Sequence, residues 1–140
     1  MKILVSGLLN TETDVSVRQF PISYYPIDYN FFGIDTYAAG VAFNISKALS
    51  VLGDNVRLTS IIGRDFHADY IKNVLQELSI EIKYIEQQLV RTPTSVILYD
   101  NAGKRQIYCD LKDIQEAEYK FNRSLVKDAD LVVACNINFN

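Results

Sequence analysis

Three polar side chains and one pair of small residues have the types expected of a site for a polyhydroxyl ligand. Asn10 and Glu12 follow the first apolar run of the chain, and Asn44 lies one helical turn after Ala39-Gly40. A side-chain amide both donates and accepts hydrogen bonds, as every sugar hydroxyl does, and a carboxylate accepts them. Because the carboxyl ends of parallel strands form the ligand crevice of an α/β sheet, these groups predict a polyol site there.

The pair Ala39-Gly40 has two interpretations. It stands where an extended segment turns into one with helical spacing. The absence of bulky side chains would let a ligand approach the backbone N–H groups at the helix start. Alternatively, the small residues only let helix and sheet pack closely, with Asn44 satisfying backbone groups. Both interpretations stay open from the residues alone.

Other kinds of catalytic or metal site are not indicated. The sequence has no G-x-x-x-x-G-K-[ST] phosphate loop, and no G-x-G-x-x-G follows its first strand. His67 is the single histidine, and we expect it to be solvated in the first turn of a helix. Cys109 and Cys135 lie in strand-like segments with no neighbouring His or Lys, and we expect them to be reduced and inert. We therefore assign no catalytic residue and no metal ligand to this chain.

Short apolar runs alternate with segments of helical spacing. One helix is predicted from Gly40 to Gly53, and a second after Asp65, whose carboxylate can cap it. This alternation predicts an α/β fold with a mainly parallel sheet flanked by helices. The runs that read as its buried strands are residues 2–8, 56–62, 80–86 and 131–135.

Other segments do not fit that core and predict a second, smaller β sheet. Residues 14–18 alternate polar and apolar side chains, and the Tyr- and Phe-rich segment up to residue 37 suits a twisted edge strand or a loop. Residues 94–109 read as a hairpin around Asp100-Asn101-Ala102-Gly103. The polar segment 113–127 has weak helical spacing.

Composition narrows the class of protein. The chain has 140 residues, which suits one domain spanning 1–140, and its net charge is −3. No basic stripe is present, which argues against nucleic acid as a partner. No apolar run approaches the roughly 18 residues that a membrane span needs, and no signal peptide is evident. We expect a cytoplasmic protein with no membrane partner.

Six residues between 39 and 63 follow one extended pattern: [AG]-G, a short spacer, N-x-[STA], six residues, [GS], nine residues and G. The six are Ala39, Gly40, Asn44, Ser46, Gly53 and Gly63. This pattern resembles the N-terminal signature of the ribokinase (PfkB) family of carbohydrate kinases. The opening residues ILVSGLLNTETDVSVRQFP, the hairpin TPTSVILYDNAGKRQIY and the run DADLVVAC also resemble that family. The resemblance covers essentially the whole chain.

The resemblance implies a substrate site and a lid. Asn10 and Glu12 match the pair that holds sugar hydroxyls, although Glu stands where the family usually has Asp. Strands near 14–18, 28–37 and 94–109 would form the lid sheet. The complete implied set of substrate-binding residues is Asn10, Glu12, Ala39, Gly40, Val41, Asn44 and Val96.

The resemblance also implies that the catalytic half is missing. Family members are longer and carry an Asp-Thr-x-Gly-Ala-Gly-Asp motif, whose last Asp is the general base, and nothing in this sequence resembles it. ATP and Mg²⁺ would serve the full-length enzyme, with neither expected on this chain alone. We therefore expect the N-terminal, substrate-binding part of a sugar kinase, inactive by itself. The alternatives are a nucleoside kinase of the same family, a non-catalytic sugar-binding module that forms a homodimer through its lid strands, and an unrelated βα binding domain.

Overall fold

Two four-stranded sheets and the helices packed on them make up the described part of the molecule. The computed structural model describes residues 1–119 and 123–135. In chain order its elements are β1 (Lys2–Ser6), β2 (Asn10–Ser16), β3 (Ile34–Ala39), α1 (Val41–Val51), β4 (Asn55–Ile62), α2 (Phe66–Glu77), β5 (Glu81–Gln87), β6 (Thr94–Tyr99), β7 (Arg105–Asp110), α3 (Arg123–Lys127) and β8 (Leu131–Ala134).

The core sheet has the strand order β5-β4-β1-β8, and its neighbouring strands are all parallel. Its central strand β1 is fully buried at Leu4 and Val5, because continuous apolar runs suit a strand that is covered on both faces. Helices α1 and α2 pack on this sheet through one apolar cluster that includes Phe43, Leu58 and Leu75. The predicted α/β fold with a parallel sheet is confirmed.

The lid sheet has the strand order β3-β2-β6-β7. Strand β2 is antiparallel to β3 and parallel to β6, and β6 forms the predicted hairpin with β7. Because side chains alternate along a strand, one face of β2 carries Asn10, Glu12 and Asp14 and the other carries Thr11 and Thr13. We call the first of these the Asn10 face.

Helix α1 begins after Gly40 and ends at Leu52, with Gly53 following at a φ of 87°. Left-handed glycine at this position is a common helix end, as the sequence predicted. Helix α2 begins after Asp65, whose side chain accepts a hydrogen bond from the Ala68 N–H. Both predicted helices are therefore present with the expected ends. No described helix is long and apolar enough to cross a membrane.

The lid strands differ from their predicted bounds. Strand β2 begins at Asn10 rather than near residue 14, and β3 occupies Ile34–Ala39 instead of 28–37. Strand β2 pairs with β3 on one side and with β6 on the other, and these backbone hydrogen bonds stabilise it. Its first residues are polar and lack the apolar alternation from which a strand is predicted. Residues 17–33 form the connection between these two strands.

Two predictions near the end of the chain need correction. Residues 131–135 read as a buried strand, but β8 is the outer strand of the core sheet and Leu131 is 45% exposed. Within the polar segment 113–127 the structure gives a short helix at Arg123–Lys127, while residues 120–122 lie outside the described part. Among described residues β8 has one strand neighbour, which explains its exposure.

Candidate functional site

A hydrogen-bonded group of three side chains lies at the start of the lid sheet. The Asn10 Nδ2 donates to Ser95 Oγ at 3.0 Å, and the Ser95 hydroxyl donates to Glu12 Oε2 at 3.3 Å. Asn10 is only 8% exposed, yet its Oδ1 accepts no hydrogen bond from any described residue. A buried acceptor without a donor costs about 1–3 kcal/mol, so this oxygen is suited to a donor supplied by a ligand.

The strand register explains why these side chains meet. Glu12 of β2 lies beside Ser95 of β6 in a parallel pair, and Asn10 pairs with Ala39 at the end of β3. Sequence reasoning missed Ser95, which is separated from Asn10 by 85 positions. Its small polar side chain, directly before the apolar residues 96–98 of the hairpin strand, was the one available signal.

Gly40 is required by packing. Its φ is 106°, and a Cβ there would lie 2.4 Å from the carbonyl oxygen of Leu8. The backbone of the β1–β2 connection fills the space that a ligand would need on that side. For Gly40 the structure therefore favours the close-packing interpretation over ligand access.

The residues on either side of Gly40 still frame the site. Ala39 is buried beside Asn10, while Val41 is exposed at the first position of α1. Gly40 offers no side-chain cap, and the first turn of α1 contains no acidic residue. The positive end of the helix dipole is thus left without a side-chain acceptor, which suits an oxygen-bearing ligand.

Asn44 lies one turn into α1 on its exposed side. Its side-chain amide makes no hydrogen bond to another described residue, so the alternative that it satisfies backbone groups has no support. Together with Lys47, Ala48, Val51 and Leu52 it lines an open groove along the helix. No hydrogen bond among the described residues links Asn44 to the Asn10 group.

Val96 lies on the other face of the lid sheet. It pairs with Thr13 and Tyr108, whereas Asn10 and Glu12 share their face with Ser95. The structure therefore does not bring Val96 together with the other predicted site residues. At this strand Ser95 occupies the position beside Glu12.

Hydrogen bonds attach the start of the lid sheet to the start of α2, and the Tyr70 hydroxyl of α2 also donates to the Thr36 carbonyl of β3 at 3.3 Å. Thr11 Oγ1 and His67 Nδ1 are 2.9 Å apart, so His67 is half-buried and bonded rather than solvated as predicted. The Asp65 carboxylate accepts from the Thr92 N–H at 2.9 Å and from its hydroxyl at 2.7 Å, just before β6. The start of the lid sheet is thus held against the start of α2.

The Asp65 carboxyl group binds both the start of α2 and the residue Thr92 before β6. Partial burial raises the pKa of its carboxyl group, but hydrogen bonds from Thr92 and from the Ala68 N–H outweigh this and hold the pKa below its usual range. Asp65 is therefore ionised near neutral pH and carries both the helix cap and the lid contact. Thr92 also accepts a hydrogen bond from the Gly63 N–H at 3.1 Å.

The Asn10 face continues into charged residues. Asp14 of β2 lies directly opposite Asp35 of β3, and Tyr37 lies opposite Glu12. Desolvation raises the pKa of the Tyr37 phenol, and the carboxylates of Asp35 and Asp14 raise it further. This hydroxyl therefore remains protonated at neutral pH, beside a group of carboxylates.

A parallel core sheet with a small β lid and a polar group at their junction defines a ribokinase-like fold, and the comparisons agree. Residues 2–139 match the model of the pfkB family of carbohydrate kinases. The chain belongs to this family. A comparison with curated proteins finds no significant match.

Solved structures share the fold at low sequence identity. The ribokinase of Arabidopsis thaliana, complexed with ribose and ATP, is 18% identical with a TM-score of 0.77, and the match covers 94% of this chain and 44% of that one. The nucleoside kinase of Methanocaldococcus jannaschii is 22% identical with a TM-score of 0.74, and the match covers 98% of this chain and 45% of that one. The ribokinase of Thermotoga maritima is 18% identical with a TM-score of 0.74, and the match covers 93% of this chain and 43% of that one. The chain thus spans less than half the length of the solved structures it matches.

Proposed function

We propose that this chain is the substrate-binding and lid portion of an ATP-dependent sugar kinase, which transfers the γ-phosphoryl group of ATP to a sugar hydroxyl. The observation that carries the proposal is the buried, unpartnered Oδ1 of Asn10 beside Ser95 and Glu12. One sugar hydroxyl can donate to this oxygen while a second hydroxyl donates to the Glu12 carboxylate, and each can still accept from another donor. Membership of a carbohydrate kinase family supports the sugar as the substrate class.

The proposed roles follow the position of each residue. Asn10 and Glu12 bind hydroxyls, and Ser95 orients both of their side chains. The substrate lies against the junction of β3 and α1, with Asn44 contributing from the helix. The proposed substrate-binding set is Asn10, Glu12, Ala39, Val41 and Asn44, with Ser95 as a positioning residue. Gly40 and Val96, also predicted from the sequence, are left out because the Leu8 backbone packs against Gly40 and Val96 lies on the opposite face of the lid sheet.

The Mg²⁺ that accompanies ATP has no cluster of candidate ligands in the described part of the chain. Within 1–119 and 123–135 there is no group of three or more His, Cys, Asp or Glu side chains arranged to hold a metal ion. We derive no phosphoryl-transfer step from these residues, and assign ATP and Mg²⁺ to the full-length enzyme, with none bound by this chain alone. The proposal includes a cytoplasmic location, where ATP is available and where Cys109 and Cys135, both free thiols, stay reduced.

A nucleoside is the second candidate substrate, since one of the matched folds is a nucleoside kinase. A ribose ring presents the same hydroxyls to Asn10 and Glu12 whether or not it carries a base. The two candidates differ in what fills the space beyond the ring. Binding of adenosine in preference to free D-ribose would favour the nucleoside.

A homodimer formed through the lid strands is the proposed assembly, and a binding or dimerising module without catalysis is the rival function. The specific observation is an exposed apolar surface on the β2–β3 connection, which we call the aromatic surface. Strands β3 and β7 also form the two edges of the lid sheet among described residues. The residues of the aromatic surface are Ile22, Tyr24, Tyr25, Ile27, Tyr29, Phe31 and Phe32.

Calorimetric titration of the 140-residue chain with D-ribose, D-fructose and adenosine tests the proposed function. We expect at least one of these compounds to bind, and Asn10→Ala to weaken that binding by about tenfold, the cost of one hydrogen bond to a buried group. Asn73→Ala, on the exposed side of α2, is the matched control and should leave the affinity unchanged. Binding of none of these compounds, or equal binding by both variants, would contradict the proposed site.

The same preparation tests the catalytic half of the proposal. With ATP, Mg²⁺ and a bound sugar, the chain should release no ADP above the background of the buffer. Sugar-dependent ADP release by the 140-residue chain would show that it carries its own catalytic machinery. Sugar binding without turnover is the expected combination.

A further inference from the structure

Beyond the Asn10 group, the same face of the lid sheet carries like charges at close quarters. Asp14 and Asp35 lie directly opposite each other on antiparallel strands, and Glu12 lies on the same face two residues before Asp14. No salt bridge joins these three carboxylates to a Lys or Arg within the described part of the chain. Like charges directly across a strand pair are destabilising, so the fold carries this arrangement at a cost.

Independent observations indicate that a ligand meets this face. Asn10 is more than nine-tenths buried and its Oδ1 is unpartnered. Hydrogen bonds through Ser95 link it to Glu12, the first of these three carboxylates. One carboxylate oxygen of Asp14, Oδ1, is also buried without a donor from any described residue. One acceptor on each side of the Glu12 row thus lacks a donor, which a bound molecule would supply.

Cationic side chains lie away from these carboxylates. Arg105 of β7 pairs with Tyr99, one row beyond Asp14 on the far end of that face. Arg91 and Lys112 line a separate cavity together with His67 and Thr94, and Thr94 belongs to the opposite face of the sheet. The charge nearest to Asn10 on its own face is therefore negative.

We propose that the acidic row of Glu12, Asp14 and Asp35 selects substrates by charge, admitting polyols that are uncharged or carry an ammonium group and rejecting those with a phosphate or a carboxylate. The inference rests on the proposed function, because it takes Asn10 and Glu12 to face the substrate. It adds a substrate class that neither the family nor the fold specifies: the acceptor for phosphoryl transfer is a neutral or amine-bearing polyol.

The physical basis is electrostatic. Successive residues on one face of a strand are about 7 Å apart, so a ligand held at Asn10 and Glu12 lies within one Debye length of Asp14 and Asp35 at ordinary salt. An anionic group there meets three like charges that salt screens only in part. An ammonium group instead has three N–H donors and is attracted by these carboxylates, among them the unpartnered Oδ1 of Asp14.

Matched probes on the 140-residue chain test the inference. Dissociation constants are measured by calorimetry at low salt for D-glucose, D-glucosamine, D-glucuronate and D-glucose 6-phosphate, and for D-ribose with D-ribose 5-phosphate and adenosine with adenosine 5′-monophosphate. We expect each anionic compound to bind at least about tenfold more weakly than its neutral parent. D-glucosamine should bind at least as tightly as D-glucose, and higher salt should narrow the differences.

The double variant Asp14→Asn with Asp35→Asn identifies the residues responsible. It should reduce the ratio between neutral and anionic dissociation constants to about threefold or less. Glu77→Gln removes one negative charge from the exposed side of α2 and should leave the ratio as in the wild type. An unchanged ratio in the double variant would overturn the assignment to this row.

The outcomes separate the inference from the proposed function. Neutral polyols that bind with no preference over their anionic counterparts overturn the inference alone. Anionic compounds that bind more tightly than their parents overturn it as well. If no polyol of any charge binds the wild-type chain, the proposed function fails and the inference fails with it.

Discussion

Gly40 shows how one residue connects the core sheet to the lid. Its positive φ and the close approach of the Leu8 carbonyl both exclude a Cβ, so the residue between β3 and α1 has to be glycine. From the sequence, the small residue at this position was compatible either with ligand access to the helix start or with close packing of helix and sheet. The Leu8 backbone occupies that space.

Gly40→Ala should lower the free energy of unfolding by about 3 kcal/mol, because it combines backbone strain with an overlap against main-chain atoms that have little room to move. Urea unfolding followed by circular dichroism measures the change. Gly53→Ala is the matched control, since Gly53 has a φ of 87° but open space around it. Its expected cost is about 1 kcal/mol, and equal costs at the two positions would contradict the packing argument.

The Ser95 hydroxyl links Asn10 and Glu12, and its removal should lower both the affinity for substrate and the stability of the fold. Ser95→Ala removes the acceptor of the Asn10 amide and the donor to Glu12, which should weaken binding of the best compound among D-ribose, D-fructose and adenosine about tenfold. Calorimetric titration of wild type and variant measures the loss of affinity. The unfolding free energy should fall by about 1–2 kcal/mol.

Ser46→Ala is the control for this change. Ser46 is as deeply buried as Ser95, but its hydroxyl has no partner among the described residues. Its replacement should cost little stability and leave affinity unchanged, because no hydrogen bond is lost. Equal effects of the two replacements would show that Ser95 acts by packing alone.

At the scale of elements, the lid sheet depends on the start of α2. Asp65 caps this helix and also binds the N–H and the hydroxyl of Thr92, just before β6. Because the pKa of Asp65 is lower in the folded protein than in the unfolded chain, the unfolded chain takes up the proton first as the pH falls. The stabilisation from this carboxylate is therefore complete above the ordinary Asp pKa of about 3.9 and is lost as the pH falls below it.

Asp65→Asn should retain the cap but remove the titrating charge. We expect the variant to lose less stability than the wild type between about pH 5 and pH 3, measured by urea unfolding at a series of pH values. Asp110 and Asp128 also have lowered pKa values, caused mainly by hydrogen bonds from Lys112 and Arg57 respectively, so part of the acid sensitivity should remain. A pH dependence identical to that of the wild type would exclude Asp65 as a contributor.

Removing a charge from the acidic row should raise the stability of the lid sheet and lower the selectivity for neutral over anionic ligands. Asp14→Asn keeps the shape of the side chain and removes one of two like charges that face each other across β2 and β3. We expect the unfolding free energy to rise by about 0.5 kcal/mol, the usual size of such a cross-strand repulsion. Glu77→Gln on α2 serves as control, and a loss of stability in Asp14→Asn would contradict the repulsion.

At the scale of the whole molecule, the sequence predicted the elements that have a strong apolar period. The core strands and both long helices were predictable from their apolar residues, of which Val5, Leu58 and Leu75 are examples. The β6–β7 hairpin was predictable from its turn residues Asp100-Asn101-Ala102-Gly103. The first residues of β2 were not, since a strand paired on both sides can be polar throughout. The contact of Ser95 with Asn10 was also out of reach, because strand register is set by long-range pairing and not by local sequence.

The aromatic surface predicts the assembly state. In a chain that exposes two Phe and three Tyr side chains on one connection, burial of that surface between two copies would remove apolar area from water. We expect a dimer in light scattering coupled to gel filtration, and a monomer for the double variant Phe31→Ser with Phe32→Ser. Leu52→Ser, an exposed apolar residue at the end of α1, should remain dimeric. A monomeric wild type at high concentration would contradict the homodimer.

Hydrogen bonds hold one end of the lid sheet at the start of α2, whereas the β6–β7 turn lies at the other end. Thr11 with His67 and Thr92 with Asp65 fix one end of the sheet, while the β6–β7 turn lies roughly 20 Å away along the strands. A small change of twist at the fixed end is therefore magnified with distance. Asn10 and Glu12 lie near the end that these contacts hold, so a change of twist there displaces them less than it displaces the turn.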